Sequence, residues 1–228
     1  MMHLLRITLS FSMVAAAALA QSPGMSGPAP RTKDGKPDLS GVWNPDGRFS
    51  GDFSKALKPG EKISMLPSAE ALLKTRKAKG DPAAKCLPMG VPRLSAYPEK
   101  LVQLPTELTI LFEGDIHSFR QIFFTASHGK DLDPTWYGDS IGKWEGDTLV
   151  VDTISFNNRT WLDSIGHPHT DKLHVVERYR RPNFGSLELE VTVEDPGAYT
   201  KPFTMTGKFS LLDKEIRERS CYTSPVDK

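Results

Sequence analysis

Ser186-Leu-Glu-Leu-Glu-Val-Thr-Val-Glu194 alternates with a period of two. Leu187, Leu189, Val191 and Val193 fall on one side, and Glu188, Glu190, Thr192 and Glu194 on the other. Successive side chains of a strand point to opposite faces, so this segment reads as a β-strand with one buried face and one wet face. Working outward, similar runs at 107–113, 117–124, 141–145, 148–156, 173–181, 202–212 and 215–222 are predicted strands. Turn residues at Gly114-Asp115, Glu145-Gly146-Asp147, Asn183-Phe184-Gly185 and Asp213-Lys214 join several of them closely. Short connections make sequence neighbours antiparallel. A mainly β chain of this kind is expected to form an antiparallel meander closing into a barrel, because closure removes exposed edges; a sandwich is the other arrangement. One short helix is predicted over 69–79, capped by Ser68 and ended by Gly80. The longest interruption between strands, 157–172, is where a functional loop is expected.

The chain has 228 residues. Its first twenty, MMHLLRITLSFSMVAAAALA, carry Arg6, then the uncharged run Ile7 to Ala20, then the small-x-small pattern Ala18-Leu19-Ala20. They read as a cleaved signal peptide ending near Ala20-Gln21, which places the protein in the periplasm or outside the cell. A flexible leader rich in Pro, Gly and Ser follows at 21–37, and 38–228 form a single β-rich domain. Two cysteines, Cys86 and Cys221, fit one disulfide in an oxidising compartment, worth about 4–5 kcal/mol by loop entropy.

Bulk charge excludes some functions. Removing Arg6 with the signal leaves 28 basic residues of 29 against 28 acidic ones. The basic runs are short, so nucleic acid is not an expected partner. No second long apolar run exists, so no membrane span is expected in the mature form. Motifs for nucleotide binding and for an α/β-hydrolase serine elbow are missing.

Three groups of residues carry candidate chemistry. In His167-Pro-His169-Thr-Asp171-Lys-Leu-His174, the imidazoles and Asp171 are candidate ligands for a divalent metal such as zinc; otherwise His169 and His174 are candidate acid–base groups, or the histidines simply satisfy backbone groups. In His128-Gly-Lys-Asp-Leu-Asp133-Pro-Thr-Trp136-Tyr137-Gly-Asp139, the sequence suggests either an Asp-Pro turn with Trp136 plugging one end of the barrel, or a pocket lip with His128 and Asp133 acting together and Trp136 and Tyr137 lining it. Third, counting alternation along strands turns Gln121, Asp152 and Glu177 inward, with Arg93, Arg120 or Arg178 as partners for a buried acid. An outward face displaced by one residue is the competing assignment.

Gly41-x-Trp43 at the start of a meander is similar to the opening of lipocalins, which makes the expected fold a lipocalin-like barrel. A broader likeness runs along the mature chain. Asp38-Leu-Ser-Gly-Val-Trp43, Cys86-Leu-Pro-Met-Gly-Val-Pro-Arg93, Gly138-Asp-Ser-Ile-Gly-Lys-Trp-Glu-Gly-Asp-Thr-Leu-Val-Val-Asp-Thr153 and Thr160-Trp-Leu-Asp163 through His167-Pro-His169 to His174 together resemble a largely uncharacterised family of exported bacterial proteins. That resemblance implies bacterial origin and export, and it assigns no residue a role. The predicted meander, with Phe and Trp alternating among a few polar groups, makes the expected function binding of a small, partly apolar molecule as ligand or substrate. The competing expectations are a hydrolase, lyase or isomerase using the His/Asp loop, and an envelope interaction protein.

Overall fold

The computed structural model describes residues 24–114, 116, 118–218 and 221. The expected signal peptide and its cleavage point lie outside the described residues. In chain order the elements are β1 (Gly41–Pro45), α1 (Pro67–Thr75), β2 (Glu99–Gln103), β3 (Glu107–Phe112), β4 (Phe119–Phe123), β5 (Asp139–Glu145), β6 (Thr148–Ile154), β7 (His174–Asn183), β8 (Ser186–Glu194) and β9 (Phe203–Leu212), with short 3-10 turns between β1 and β2. The nine strands close into a barrel in sequence order. No helix among the described residues is long and apolar enough to cross a membrane.

Closure imposes a parity condition. Nine strands in an unbroken up-and-down order would bring first and last together in parallel. Here β9 and β1 pair antiparallel, so one joint elsewhere must be parallel. That joint is β4–β5, and it is held by a single register pair, Phe123↔Ile141. The other neighbours, β1–β2, β2–β3, β3–β4, β5–β6, β6–β7, β7–β8 and β8–β9, are antiparallel. Parallel neighbours need a long crossover, and residues 124–138 run back along the wall to supply it.

The two ends of the barrel differ. Tight turns at 104–106, 146–147 and 184–185 gather at one end. There Arg181 lies 4.9 Å over the Trp43 ring and donates to the carbonyls of Asp38, Ser40 and Phe184. Residues 24–37, from the Pro/Gly/Ser-rich leader, lie along the same end. Phe184 and Gly185 donate backbone bonds to Gly27 and Met25, and Arg31 pairs with Asp147 at 2.6 Å. The longer connections, 46–98, 155–173 and 195–202, gather at the other end. Phe49 packs down there onto Gly207, where a Cβ would stand 2.4 Å from the ring, so only glycine admits this plug.

The alternation of Ser186–Glu194 holds residue for residue, with Leu187, Leu189, Val191 and Val193 buried. Several expectations are corrected. Residues 215–218 are not strand, because β9 already completes the closure on β1; Cys221 is instead held to Cys86 by a disulfide. Gly41-x-Trp43 does open the meander, as β1; the strand β2 was not expected, and an inward Glu99 breaks its apolar pattern. The helix spans Pro67–Thr75, without a side-chain cap from Ser68, because Pro67 occupies its first turn.

Inside the barrel, Glu177 is fully buried and paired with Arg120. Arg120 also donates to the hydroxyls of Ser140 and Thr153, and Tyr179 donates to Glu177 at 3.1 Å. Glu99 is buried with no hydrogen-bond partner for either carboxyl oxygen among the described residues. Burial first, then the negative charge of Glu177, push its pKa from 4.5 up to about 8, although Arg120 opposes the shift. Glu99 therefore carries a proton at neutral pH, which leaves Arg120 and Glu177 as a balanced pair.

The folded state holds a proton that the unfolded chain gives up above about pH 4.5, so stability declines as pH rises towards 8. Between pH 5 and 7 the loss is about 3 kcal/mol from this group. Chemical denaturation of a Glu99→Gln variant should show that slope removed and the protein more stable than wild type at pH 8.

Candidate functional site

On β4 the buried residues are Arg120 and Ile122, while Phe119, Gln121 and Phe123 face out. The two phenylalanines are 56% and 41% exposed, unusual for rings on a strand. They flank the seam where β4 and β5 share one register pair. A cavity of about 200 Å³ opens there, lined by Phe119, Arg120, Gln121, Phe123, Thr135, Tyr137, Gly138, Asp139 and Ser140. Its apolar lip is aromatic, and Arg120, one of its walls, is fixed by the ion pair with Glu177. The Arg120 side chain points inward, so its ion pair with Glu177 fixes the wall of the groove from inside the barrel.

Asp139, at the start of β5, links this groove to a chain of imidazoles and carboxylates. His128, on the crossover, places Nδ1 2.5 Å from Asp139 and Nε2 2.8 Å from Asp152. Asp152, on β6, uses its other oxygen to bind His174 Nε2 at 3.0 Å. His174, at the start of β7, also lies 3.7 Å from Glu194. Carboxylates only accept, so His128 must carry protons on both nitrogens to satisfy both contacts. Burial opposes that charge, but the hydrogen bonds to Asp139 and Asp152 overcome it and raise the His128 pKa above 6.5. Burial likewise acts to raise the Asp152 pKa, and the bonds from His128 and His174 lower it below 3.8 on balance. The result is an imidazolium clamped between two carboxylates, fastening the crossover to the wall.

Several sequence assignments move. Asp152 and Gln121 face outward, displaced by one residue from the expected inward register. Apolar residues on both faces, Val150 and Ile154 outside and Val151 inside, make the period of β6 ambiguous. Asp133 is exposed and does not partner His128; Asp139 and Asp152 do. Trp136 is half-buried, and Tyr137 packs against the core while lining the groove. Arg93 forms a buried pair with Asp81 at 2.6 Å, away from the seam.

His167, His169, Asp171 and His174 do not come together as a ligand set. His167 binds Asp163, His174 binds Asp152, and Asp171 is exposed. His169 is buried, with Nδ1 at 3.0 Å from the Thr170 carbonyl and Nε2 at 2.6 Å from the Thr160 hydroxyl. Burial lowers its pKa and holds it neutral, so Nδ1–H donates to the carbonyl and Nε2 accepts from the hydroxyl. The loop 157–172, expected to carry function, is largely packed down by these contacts. The loop at the seam is the shorter crossover. Asp139 stood in the same candidate stretch as His128, but nothing local marked it rather than Asp133 as the partner.

Comparison with protein-family models, with curated proteins and with solved structures finds no match to this chain. Functional assignment therefore rests on geometry.

The sign of the His128 shift fixes its pH dependence. A raised folded pKa gives stability that is present below about pH 6.5 and fades as pH climbs through the folded value. Proton NMR should show the His128 ring titrating above an ordinary histidine, and Asp152→Asn should bring that midpoint down.

Proposed function

We propose that this is an exported barrel protein, periplasmic or secreted, that binds a small, partly apolar molecule in the groove at the β4–β5 seam. The observation that carries this reading is the aromatic lip. Phe119 and Phe123 stay exposed beside a cavity walled by a buried, ion-paired arginine. Apolar surface with a few fixed polar groups is how small-molecule sites combine affinity with orientation. Export is supported by the composition of residues 1–20 and by the Cys86–Cys221 disulfide, which suits an oxidising compartment. The likeness to exported bacterial proteins points the same way.

A second reading is favoured by one specific observation. Asp139 lines the groove and is hydrogen-bonded to the His128 imidazolium, so a titratable proton sits one carboxylate away from the bound molecule. On that reading the protein is a hydrolase, lyase or isomerase, with His128 as acid, Asp139 and Asp152 holding its charge, and His174 positioning Asp152.

Anilinonaphthalene sulfonate, an aromatic anion, is a suitable probe of the groove. Its affinity should fall about tenfold or more in a Phe119→Ser/Phe123→Ser double variant, while the melting temperature stays near that of wild type because both rings are exposed. Unchanged affinity in the double variant contradicts the proposed site. Native mass spectrometry of protein taken directly from its host should identify the natural occupant. Recovery of that molecule unchanged after incubation fits binding; conversion abolished by Asp152→Asn fits catalysis.

A further inference from the structure

The end of the barrel that gathers the longer loops holds a second constellation, separate from the seam. Asp52 precedes the 3-10 turn Phe53–Ala56, and Asp163 and His167 belong to the packed-down loop before β7. One ligand atom from each lies within 4.8 Å of the other two. Asp163 is fully buried and His167 is 6% exposed. Asp163 accepts at one oxygen from the backbone N–H of Gly166 and His167, and at the other from Phe53 N–H and His167 Nδ1, the last at 2.6 Å. Asp52 is half-buried and accepts from Ser54 N–H through one oxygen. His167 is paired with Asp163 through Nδ1, and its Nε2 makes no hydrogen bond among the described residues but is within reach of solvent.

Asp163 is fully buried beside the half-buried Asp52, and two carboxylates this close repel unless a positive charge joins them. The backbone donors already fix the orientation of Asp163, and they leave its charge opposed by a single imidazole among the three. A cavity of about 300 Å³ lies directly alongside, lined by Phe49, Ser50, Gly51, Arg93, Tyr97 and Ser164 among others. Its lining includes Gly51 and Ser164, the chain neighbours of Asp52 and Asp163.

We propose that Asp52, Asp163 and His167 form a binding site for a divalent transition cation at the looped end of the barrel. The donor set, two hard oxygens and one imidazole nitrogen, suits manganese or zinc. Binding through Nδ1 replaces the proton that His167 now shares with Asp163, and that proton leaves to solvent. Three protein ligands leave at least one coordination position for water or an exogenous group, and the neighbouring cavity provides room for it. This site shares no residue with the seam groove, so either stands if the other fails.

The test titrates the full mature chain, stripped with chelator, with manganese followed by electron paramagnetic resonance and with zinc followed by calorimetry. One equivalent of either cation should bind at micromolar concentration or tighter. Asp52→Asn should weaken binding at least about tenfold, while the amide oxygen still caps Ser54 and keeps the metal-free melting temperature unchanged. His167→Ala should abolish binding, and His174→Ala, at the seam, should leave it intact. Absence of binding below millimolar metal overturns the proposal. So does affinity that survives Asp52→Asn, or that disappears in His174→Ala instead.

Discussion

Everything in this molecule depends on closing an odd number of strands. A nine-stranded meander cannot return to its first strand antiparallel unless one joint runs parallel. The chain puts that joint between β4 and β5 and holds it with one register pair. The other joints have three to eight registered pairs, so the seam is the most sparsely paired line in the wall. Weak pairing has two consequences. The wall opens into a groove, and the crossover that makes the joint possible is laid across the outside beside it. The His128 clamp then fastens this crossover to the strands on the far side of the gap.

Charge is managed in layers around the same line. Inside, Arg120 bridges β4 to Glu177 on β7 and touches Ser140 and Thr153 on β5 and β6, so a single guanidinium ties together four strands around the seam. A buried ion pair is weak evidence for stability by itself, because desolvation offsets attraction. Its value here is positional: it spans the place where backbone hydrogen bonds are missing. Outside, carboxylates and imidazoles alternate from Asp139 to Glu194, and each negative group is met by a histidine. The seam is thus sewn from both faces by side chains where the main chain pairs only once.

Much of the architecture was legible because strand periodicity is a local signal. Ser186–Glu194 states its two faces in nine letters, and the glycine- and asparagine-bearing turns mark its neighbours. The Cys86–Cys221 bridge followed from an even cysteine count and an export signal. What was illegible was long-range. The parallel joint leaves no mark in either strand. Asp152 was turned the wrong way because valines and isoleucines occupy both faces of β6. The histidines at 167, 169 and 174 look like one motif in sequence, yet the loop's path sends each ring to a different partner: Asp163, Thr160 and Asp152. His128 and Asp152 were both singled out, in separate contexts, and only the crossover shows that they belong together.

The most direct test is the strand-to-strand contact pattern of isotope-labelled mature protein by nuclear Overhauser spectroscopy. This account requires close backbone contacts between Phe123 and Ile141 in parallel register, with the His128 ring near the side chains of both β5 and β6. An antiparallel β4–β5 pattern, or a β4 with no contacts to β5 at all, would contradict it and remove the seam on which the groove and its histidine clamp depend.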